Sequence, residues 1–237
     1  MIKLSDRLQL IAKEVNNGET VADIGTDHGF LPMYLWEQGI SPKVIMADVS
    51  QGSLNKAQQN CNELYPDNTF DLRLGDGIQV LKEGEVDVVT IAGMGGILMT
   101  EILGYDLCKT KSFRKIVLQP RNNPGFLRHW LRNNGFCIIN EQLVREGKFI
   151  CEIITAIPKE IAIPMNNGPD SIEYQFPHNL IDFKGPLTIE YLSRNLQSEK
   201  KILDAMNSGK KTTFDDIRRQ EYRIYYLERM IKSCENR

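Results

Sequence analysis

Apolar residues over the first 157 positions switch repeatedly between two periods. Leu4, Leu8, Ile11 and Val15 recur at the spacing of one helix face, behind a Ser5-Asp6 start signal. Thr20 to Ile24 then reads as a buried strand ending at a glycine loop, and Phe30 to Gln38 as a helix stopped by Gly39. The alternation continues with a strand over Lys43 to Asp48, a helix over Gly52 to Leu64 and a strand over Phe70 to Leu74. Val86 to Ala92 is the most apolar run, Lys115 to Gln119 is a fifth strand, and Pro124 to Asn134 is a helix ending at Gly135. After it the rhythm changes. Phe136 to Val144 and Lys148 to Ile157 predict two strands joined at Glu146-Gly147, a tight hairpin signal. Strand–helix alternation predicts an α/β fold, a parallel sheet covered by helices on both faces, with the terminal hairpin adding an antiparallel member at one edge.

The remaining chain divides in two. Residues 158–186 carry Pro158, Pro164, Pro169, Pro177 and Pro186 and predict a linker or an irregular wrap. From 187 to 237 the helical period returns, with Ile189, Leu192, Leu196, Leu203 and Met206 on one seam and Glu199 at the skipped place. Ile217, Ile224, Leu227 and Ile231 form a second seam after Ser208-Gly209. Two such helices predict an antiparallel coiled-coil hairpin. The expected organisation is therefore a first domain over 1–157, a linker over 158–186 and a helical hairpin over 187–237.

Charge sharpens this division. Twelve Lys and Arg stand against eight Asp and Glu from Lys184 onward, whereas the whole chain carries −2. A basic tail on an acidic protein points weakly to a polyanion, and solvated helix faces explain it equally simply. Five scattered cysteines without a C-x-x-C pair, and three histidines without metal-ligand spacing, argue for reduced thiols and against a metal enzyme. No apolar run of membrane-spanning length and no signal-peptide pattern is present, so a cytoplasmic protein without membrane association is expected. The sequence points to no obligatory protein partner.

The candidate chemistry lies at the ends of the predicted strands. Asp23-Ile24-Gly25-Thr26-Asp27-His28-Gly29 has the spacing G-x-x-x-G, unlike the G-x-G-x-x-G of dinucleotide sites. Its carboxylates, Asp23 and Asp27, would repel a pyrophosphate but attract the sulfonium and ammonium groups of S-adenosylmethionine. Asp48 ends the second strand, where an acid can accept both hydroxyls of a ribose, with Val49 and Ser50 beside it. Gly75-Asp76-Gly77 could meet an adenine edge or be a plain turn. Ala92-Gly93-Met94-Gly95-Gly96 follows the fourth strand, beside the reversal of the sheet's winding, where small residues leave room for a methyl donor and a planar acceptor. Gln119-Pro120-Arg121-Asn122-Asn123 suits either substrate recognition or turn formation.

Taken in order with Leu4-Ser5-Asp6-Arg7-Leu8 and Ile91-Ala92, these motifs resemble the bacterial tRNA (adenine(22)-N1)-methyltransferase family across the whole first domain, and the helical tail is similar to that family's C-terminal coiled coil. The resemblance implies a Rossmann-like class I methyltransferase sheet, S-adenosylmethionine as donor with S-adenosylhomocysteine as product, no metal, and N1 of an adenine in the tRNA D-arm as acceptor. The implied cofactor contacts are Asp23, Gly25, Thr26, Asp27, His28, Gly29, Asp48, Val49, Ser50, Gly75, Asp76, Gly77, Ala92, Gly93, Met94 and Gly95. Asp27, Met94 and Asn122 are the candidate catalytic residues. Gln119, Arg121, Asn122 and Asn123, with Lys200, Lys201, Lys210, Lys211, Arg218, Arg219 and Arg223 of the tail, are the candidate RNA contacts. Competing readings are a small-molecule methyltransferase with a dimerising tail, an NAD-dependent oxidoreductase disfavoured by the acidic loop, and a non-catalytic RNA-binding protein.

Overall fold

The most aliphatic runs, β1 (Val21–Ile24), β2 (Val44–Asp48), β4 (Val88–Met94) and β5 (Lys115–Pro120), become the parallel centre of one sheet. β3 (Asp71–Leu74) adds to β2, and β6 (Phe136–Glu146) and β7 (Phe149–Pro158) form the hairpin. The strand order is β3-β2-β1-β4-β5-β7-β6. The hairpin lies at the edge the sequence suggests, but its antiparallel member is not outermost. β7 enters between β5 and β6, antiparallel to both. Composition accounts for this: β7 carries the buried run Ile153-Ile154-Thr155-Ala156, whereas β6 is mostly half-buried and suits an edge. The computed structural model describes residues 1–159, 168–182, 185–208 and 212–235. Among these, no helix is long and apolar enough to cross a membrane.

Side chains alternate between the two faces of the sheet. Val21, Val44, Met46, Val88 and Val117 pack with α1 (Asp6–Lys13), α2 (Phe30–Glu37) and α3 (Gln51–Leu64) through Ile11, Leu31, Met33, Leu35 and Ala57. Ala22, Ile24, Ile45, Val89, Ile91, Ile116 and Leu118 face the other way. They pack with α4 (Gly96–Gly104), the α5 segment (Leu107–Ser112) and α6 (Pro124–Asn133). The apolar pattern does not single out α4, because Gly-Ile-Leu-Met-Thr-Glu-Ile-Leu-Gly is apolar nearly all round and shows no polar stripe.

Two polar anchors, one half-buried and one buried, hold the edge of the sheet. Glu14, just past α1, accepts hydrogen bonds from Asn140, Gln142 and Thr155 at 2.8, 2.5 and 2.7 Å, which fixes the helix to the hairpin. On the opposite face Arg128 of α6 is 1% exposed and forms ion pairs with Glu141 at 2.5 Å and with Glu152.

The chain divides into two compact units, Met1–Pro169 and Asp170–Arg237. The second contains α7 (Ile172–Gln175), a short 3-10 turn over His178–Asp182, α8 (Pro186–Ser208) and α9 (Phe214–Glu235). Residues 170–182, expected to belong to the linker, are part of this unit because Ile172, Tyr174, Phe176 and Leu180 are all buried. Prolines there mark turns in a packed segment. α8 and α9 pack as an antiparallel pair whose seam holds a polar pin. Glu199 is 8% exposed and accepts from Gln220 at 2.6 Å and from Arg223 at 2.7 Å. Because Arg223 is paired inside the unit, and also donates to the Asp170 carbonyl at 3.1 Å, it is not the free surface cation the sequence suggests.

Arg128→Met leaves two buried carboxylates without their cation. The substitution should cost about 3–5 kcal/mol, seen as a lower urea midpoint at an unchanged denaturant slope. A change below about 1 kcal/mol would remove the triad from the list of forces holding α6 to the hairpin.

Candidate functional site

Strand register generates the first feature of the site. β1 and β4 pair with Asp23 opposite Thr90, so both side chains leave the sheet on the α1–α3 face. Thr90 Oγ1 donates to Asp23 Oδ1 at 2.6 Å, and the carboxylate is 6% exposed. Burial pushes the Asp23 carboxyl above the usual carboxylate range, and the Thr90 hydroxyl opposes that shift.

Beyond Ile24 the backbone enters the left-handed region at Gly25 (φ 79°), Asp27 (φ 45°) and Gly29 (φ 71°) before α2 begins. The amides of Gly25 and Thr26 both donate to the Ala47 carbonyl, at 2.8 and 3.1 Å, which ties this loop to β2. Thr26 Oγ1 is buried beside the Asp23 carboxylate, and its hydroxyl, like that of Thr90, opposes the upward shift. At the end of β2, Asp48 accepts from the amide of Ser50 at 2.8 Å and from that of Asp27 at 3.4 Å. The two loops thus converge on one carboxylate that keeps free lone pairs.

The β4 side is organised by Gln119. Its Oε1 accepts from the Gly93 amide at 3.1 Å and from Arg7 Nη1 at 3.0 Å, and its Nε2 donates to the Pro120 carbonyl at 3.0 Å. Arg7 Nε also donates to Glu146 at 2.5 Å. These bonds bring the first turn of α1 over the strand ends. A cavity of about 390 Å³ results, walled by Asp23, Gly25, Thr26, Asp27, His28 and Asp48 on one side and Ala92, Gly93 and Met94 on the other. Arg7, Leu8, Phe30 and Leu31 complete it. The His28 and Phe30 rings stack at 5.6 Å with an angle of 7°.

Nine of the sixteen residues expected to contact a cofactor therefore line one cavity. The other seven lie at the same end of the sheet, outside the lining of that cavity. Gly29 must be bare because a Cβ would meet Met46 Sδ at 2.9 Å. Val49 projects into solvent, and Ser50 caps α3 by accepting from Ser53 N at 3.3 Å. Gly75 and Gly77 leave room for Val80 and Ile102, and the exposed Asp76 accepts from Gln79 at 3.3 Å, the pattern of a turn. Gly95 leaves room for Asn122, whose Oδ1 would lie 2.9 Å from an added Cβ.

Among the catalytic candidates, Met94 packs its methyl group on the bare backbone of Gly25. Asp27 is half exposed and paired with Lys56 at 3.2 Å and His28 at 3.3 Å. Asn122 sits behind Gly95 and is not on the cavity wall. Of the candidate RNA contacts in the first unit, Arg121, Asn122 and Asn123 are exposed, whereas Gln119 is 2% exposed, with both ends of its amide hydrogen-bonded inside the unit. In the second unit Lys201, Arg218 and Arg219 are exposed and Lys200 is paired with Glu228 at 2.8 Å. Lys210 and Lys211 lie outside the described residues. Arg7 was not singled out by sequence, since its place depends on which strand α1 crosses; the signal available was a cation in the first turn of a helix whose face is otherwise apolar.

The neutral amide in Asp23→Asn removes a buried negative charge. A carboxyl with a raised folded-state pKa stabilises below its unfolded value and loses that contribution as pH rises through the folded value. The variant should therefore melt higher than the wild type at mildly alkaline pH in the absence of ligand, with the advantage shrinking as the pH falls. Parallel melting curves against pH, with no convergence on the acid side, would contradict this origin.

Comparison with known proteins agrees with this geometry. The methyltransferase domain family matches residues 4–154. The Bacillus subtilis tRNA (adenine(22)-N(1))-methyltransferase is 34% identical over 155 residues, 65% of each chain, so the alignment spans just under two thirds of that enzyme. A Mycoplasma pneumoniae protein provisionally named a tRNA methyltransferase is 35% identical over 197 residues, 78% of this chain and 89% of its own. The structure of M. capricolum TrmK, in complex with the cofactor product S-adenosylhomocysteine, superposes with a TM-score of 0.78 at 26% identity, covering 98% of this chain and 99% of that one. With its sheet order, its cavity at the β1 and β4 ends and these relatives in agreement, the chain belongs to the methyltransferase domain family, with a Rossmann-like sheet, and within it is similar to proteins named as tRNA methyltransferases.

Proposed function

We propose that this chain transfers the methyl group of S-adenosylmethionine to N1 of adenine 22 in tRNA, acting in the cytoplasm. The observation that carries the reading is the charge pattern of the cavity, where Asp23, Asp27 and Asp48 face a single guanidinium, Arg7. This pattern matches a ligand that is cationic at its sulfonium and ammonium groups and anionic at one carboxylate. A pyrophosphate would meet three carboxylates. The bare Gly93 (φ 77°, with open space where a Cβ would stand) fits a ligand lying against the loop backbone.

Residue roles follow from this pattern. Asp48 accepts the ribose hydroxyls with the lone pairs that Ser50 and Asp27 leave free. Asp23 supplies negative charge toward the methionine part, and Arg7, oriented by Gln119 and Glu146, receives its carboxylate. When bound, the cofactor would supply an electrophilic methyl carbon for the lone pair of adenine N1. N1 of an unpaired adenine already carries its lone pair, so the chain needs no general base and its work is alignment and exclusion of water. N1 lies on the pairing edge, so a paired target must leave its partner. Asp27 offers negative charge for the cationic product, moderated by Lys56 and His28. Met94 forms an apolar wall, and Asn122 acts by holding the loop behind Gly95. Arg121, Asn122 and Asn123, with Lys200, Lys201, Arg218 and Arg219, supply contacts to RNA.

Labelled-methyl transfer to an unmodified tRNA transcript tests the acceptor. Incorporation should occur with adenine at position 22 and vanish with guanine there; equal labelling of both transcripts would overturn the assignment. Asp48→Ala should weaken cofactor binding by about 1–3 kcal/mol, read by titration calorimetry. Arg7→Ala should weaken S-adenosylmethionine but leave methylthioadenosine, which lacks the carboxylate, unchanged. Equal loss for both ligands would reduce Arg7 to a support of the loop.

A further inference from the structure

The exposed face of α9 carries a pattern that the cation count alone does not describe. Arg218, Tyr222, Tyr225, Arg229 and Lys232 follow one another at spacings of four, three, four and three, so they form a single stripe about 21 Å long. All five are exposed, and the tyrosines are 50% and 55% exposed, although the packed seam of this helix lies elsewhere at Gln220, Leu227 and Met230. Two exposed rings adjacent on one helix face form a small contiguous patch of the kind that marks an interaction site, where singly scattered ones would not.

The charges around the stripe are accounted for. Arg219 lies 3.8 Å from Asp216, Lys200 is paired with Glu228, and Arg223 with Glu199. Among the described residues Arg218, Arg229 and Lys232 form no ion pair. Asp215 and Arg219 join Arg218 and Tyr222 around an open concavity at the start of the helix, and Glu221 flanks one side. The Arg229 guanidinium lies 5.9 Å from the Tyr225 ring centroid, so cation and ring are already adjacent. The Tyr222 hydroxyl donates to Glu173 at 2.8 Å, which restrains that side chain without covering it.

We infer that this stripe binds unpaired nucleotides of the tRNA, with bases stacking on Tyr222 and Tyr225 and phosphates pairing with Arg218, Arg229 and Lys232. The inference rests on the tRNA reading above and adds to it a mode of recognition. Flat rings between unpaired cations match the alternation of base and phosphate along a single strand. A regular duplex offers no free base face to the rings. A second copy of the same stripe would bring arginine and lysine against their equals, so self-association is disfavoured on charge.

The test uses the full chain and measures binding of an unmodified tRNA transcript and of a fully paired RNA duplex. Tyr225→Leu should weaken tRNA binding by about 5- to 100-fold and duplex binding little, with the melting temperature and S-adenosylmethionine affinity unchanged. Tyr225→Phe should bind as the wild type does. Arg229→Gln should flatten the logarithmic salt dependence by about one unit. Tight wild-type binding that Tyr225→Leu leaves intact would overturn the stripe while sparing the tRNA reading. Wild-type protein that neither binds nor methylates tRNA would overturn both. A dimer that Tyr225→Leu converts to monomer, at unchanged tRNA affinity, would make the stripe an interface between copies and overturn the proposal.

Discussion

The parity of β1 against β4 is the constraint from which the rest of the site follows. Side chains alternate between faces, so placing Asp23 and Thr90 in register sends both toward α1 and α2, while Ala22, Ile24 and Ile91 fill the opposite core. A slip of one residue would drive a carboxylate among Ile102, Leu118 and Leu127 and turn two aliphatics toward the loop. Gln119 obeys the same parity two residues beyond Val117, which is why its amide meets Arg7 from α1. The cavity is a by-product of one pairing register carried across three neighbouring strands.

Much of this was legible in the sequence. The parallel centre could be read because each strand is a short aliphatic run ended by glycine, acid or proline, and the acidic loop could be read because charge sign discriminates between ligands without coordinates. Other features resisted for identifiable reasons. An all-apolar helix such as α4 carries no period. The order of β7 and β6 depends on which strand is better buried. Glycines were the least informative residues, since Gly93 opens onto the cavity whereas Gly75, Gly77 and Gly95 make room for side chains of their own fold. Arg7 and Gln119 stand 112 positions apart, and only packing of α1 across the sheet makes them partners.

The helical unit shows the same limit in another form. Arg223 in a basic tail reads as a surface cation until its partner on the other helix is known. In the structure it neutralises Glu199, with Gln220 donating to the same carboxylate, so three polar groups sit where an apolar seam would otherwise continue. Such a pin contributes little net stability against a hydrophobic alternative, but displacing the helices by one turn would leave Glu199 buried and unpaired. Register in this hairpin is therefore held by a penalty on misalignment more than by the strength of the seam.

The close approach of the β4–α4 and β5–α6 loops has a consequence for variation. Gly96 donates to the Asn122 carbonyl at 3.0 Å, Arg121 donates to the Met94 carbonyl at 2.7 Å, and a Cβ on Gly96 would lie 2.5 Å from the Asn123 carbonyl. The two loops are one mechanical part, with no space between them for a side chain. Lineages that reshape this rim for a different acceptor must alter both segments together or leave both alone. Diversification is thereby channelled into outward-facing positions such as Ile97, Leu98 and Arg121, where a new side chain disturbs neither backbone.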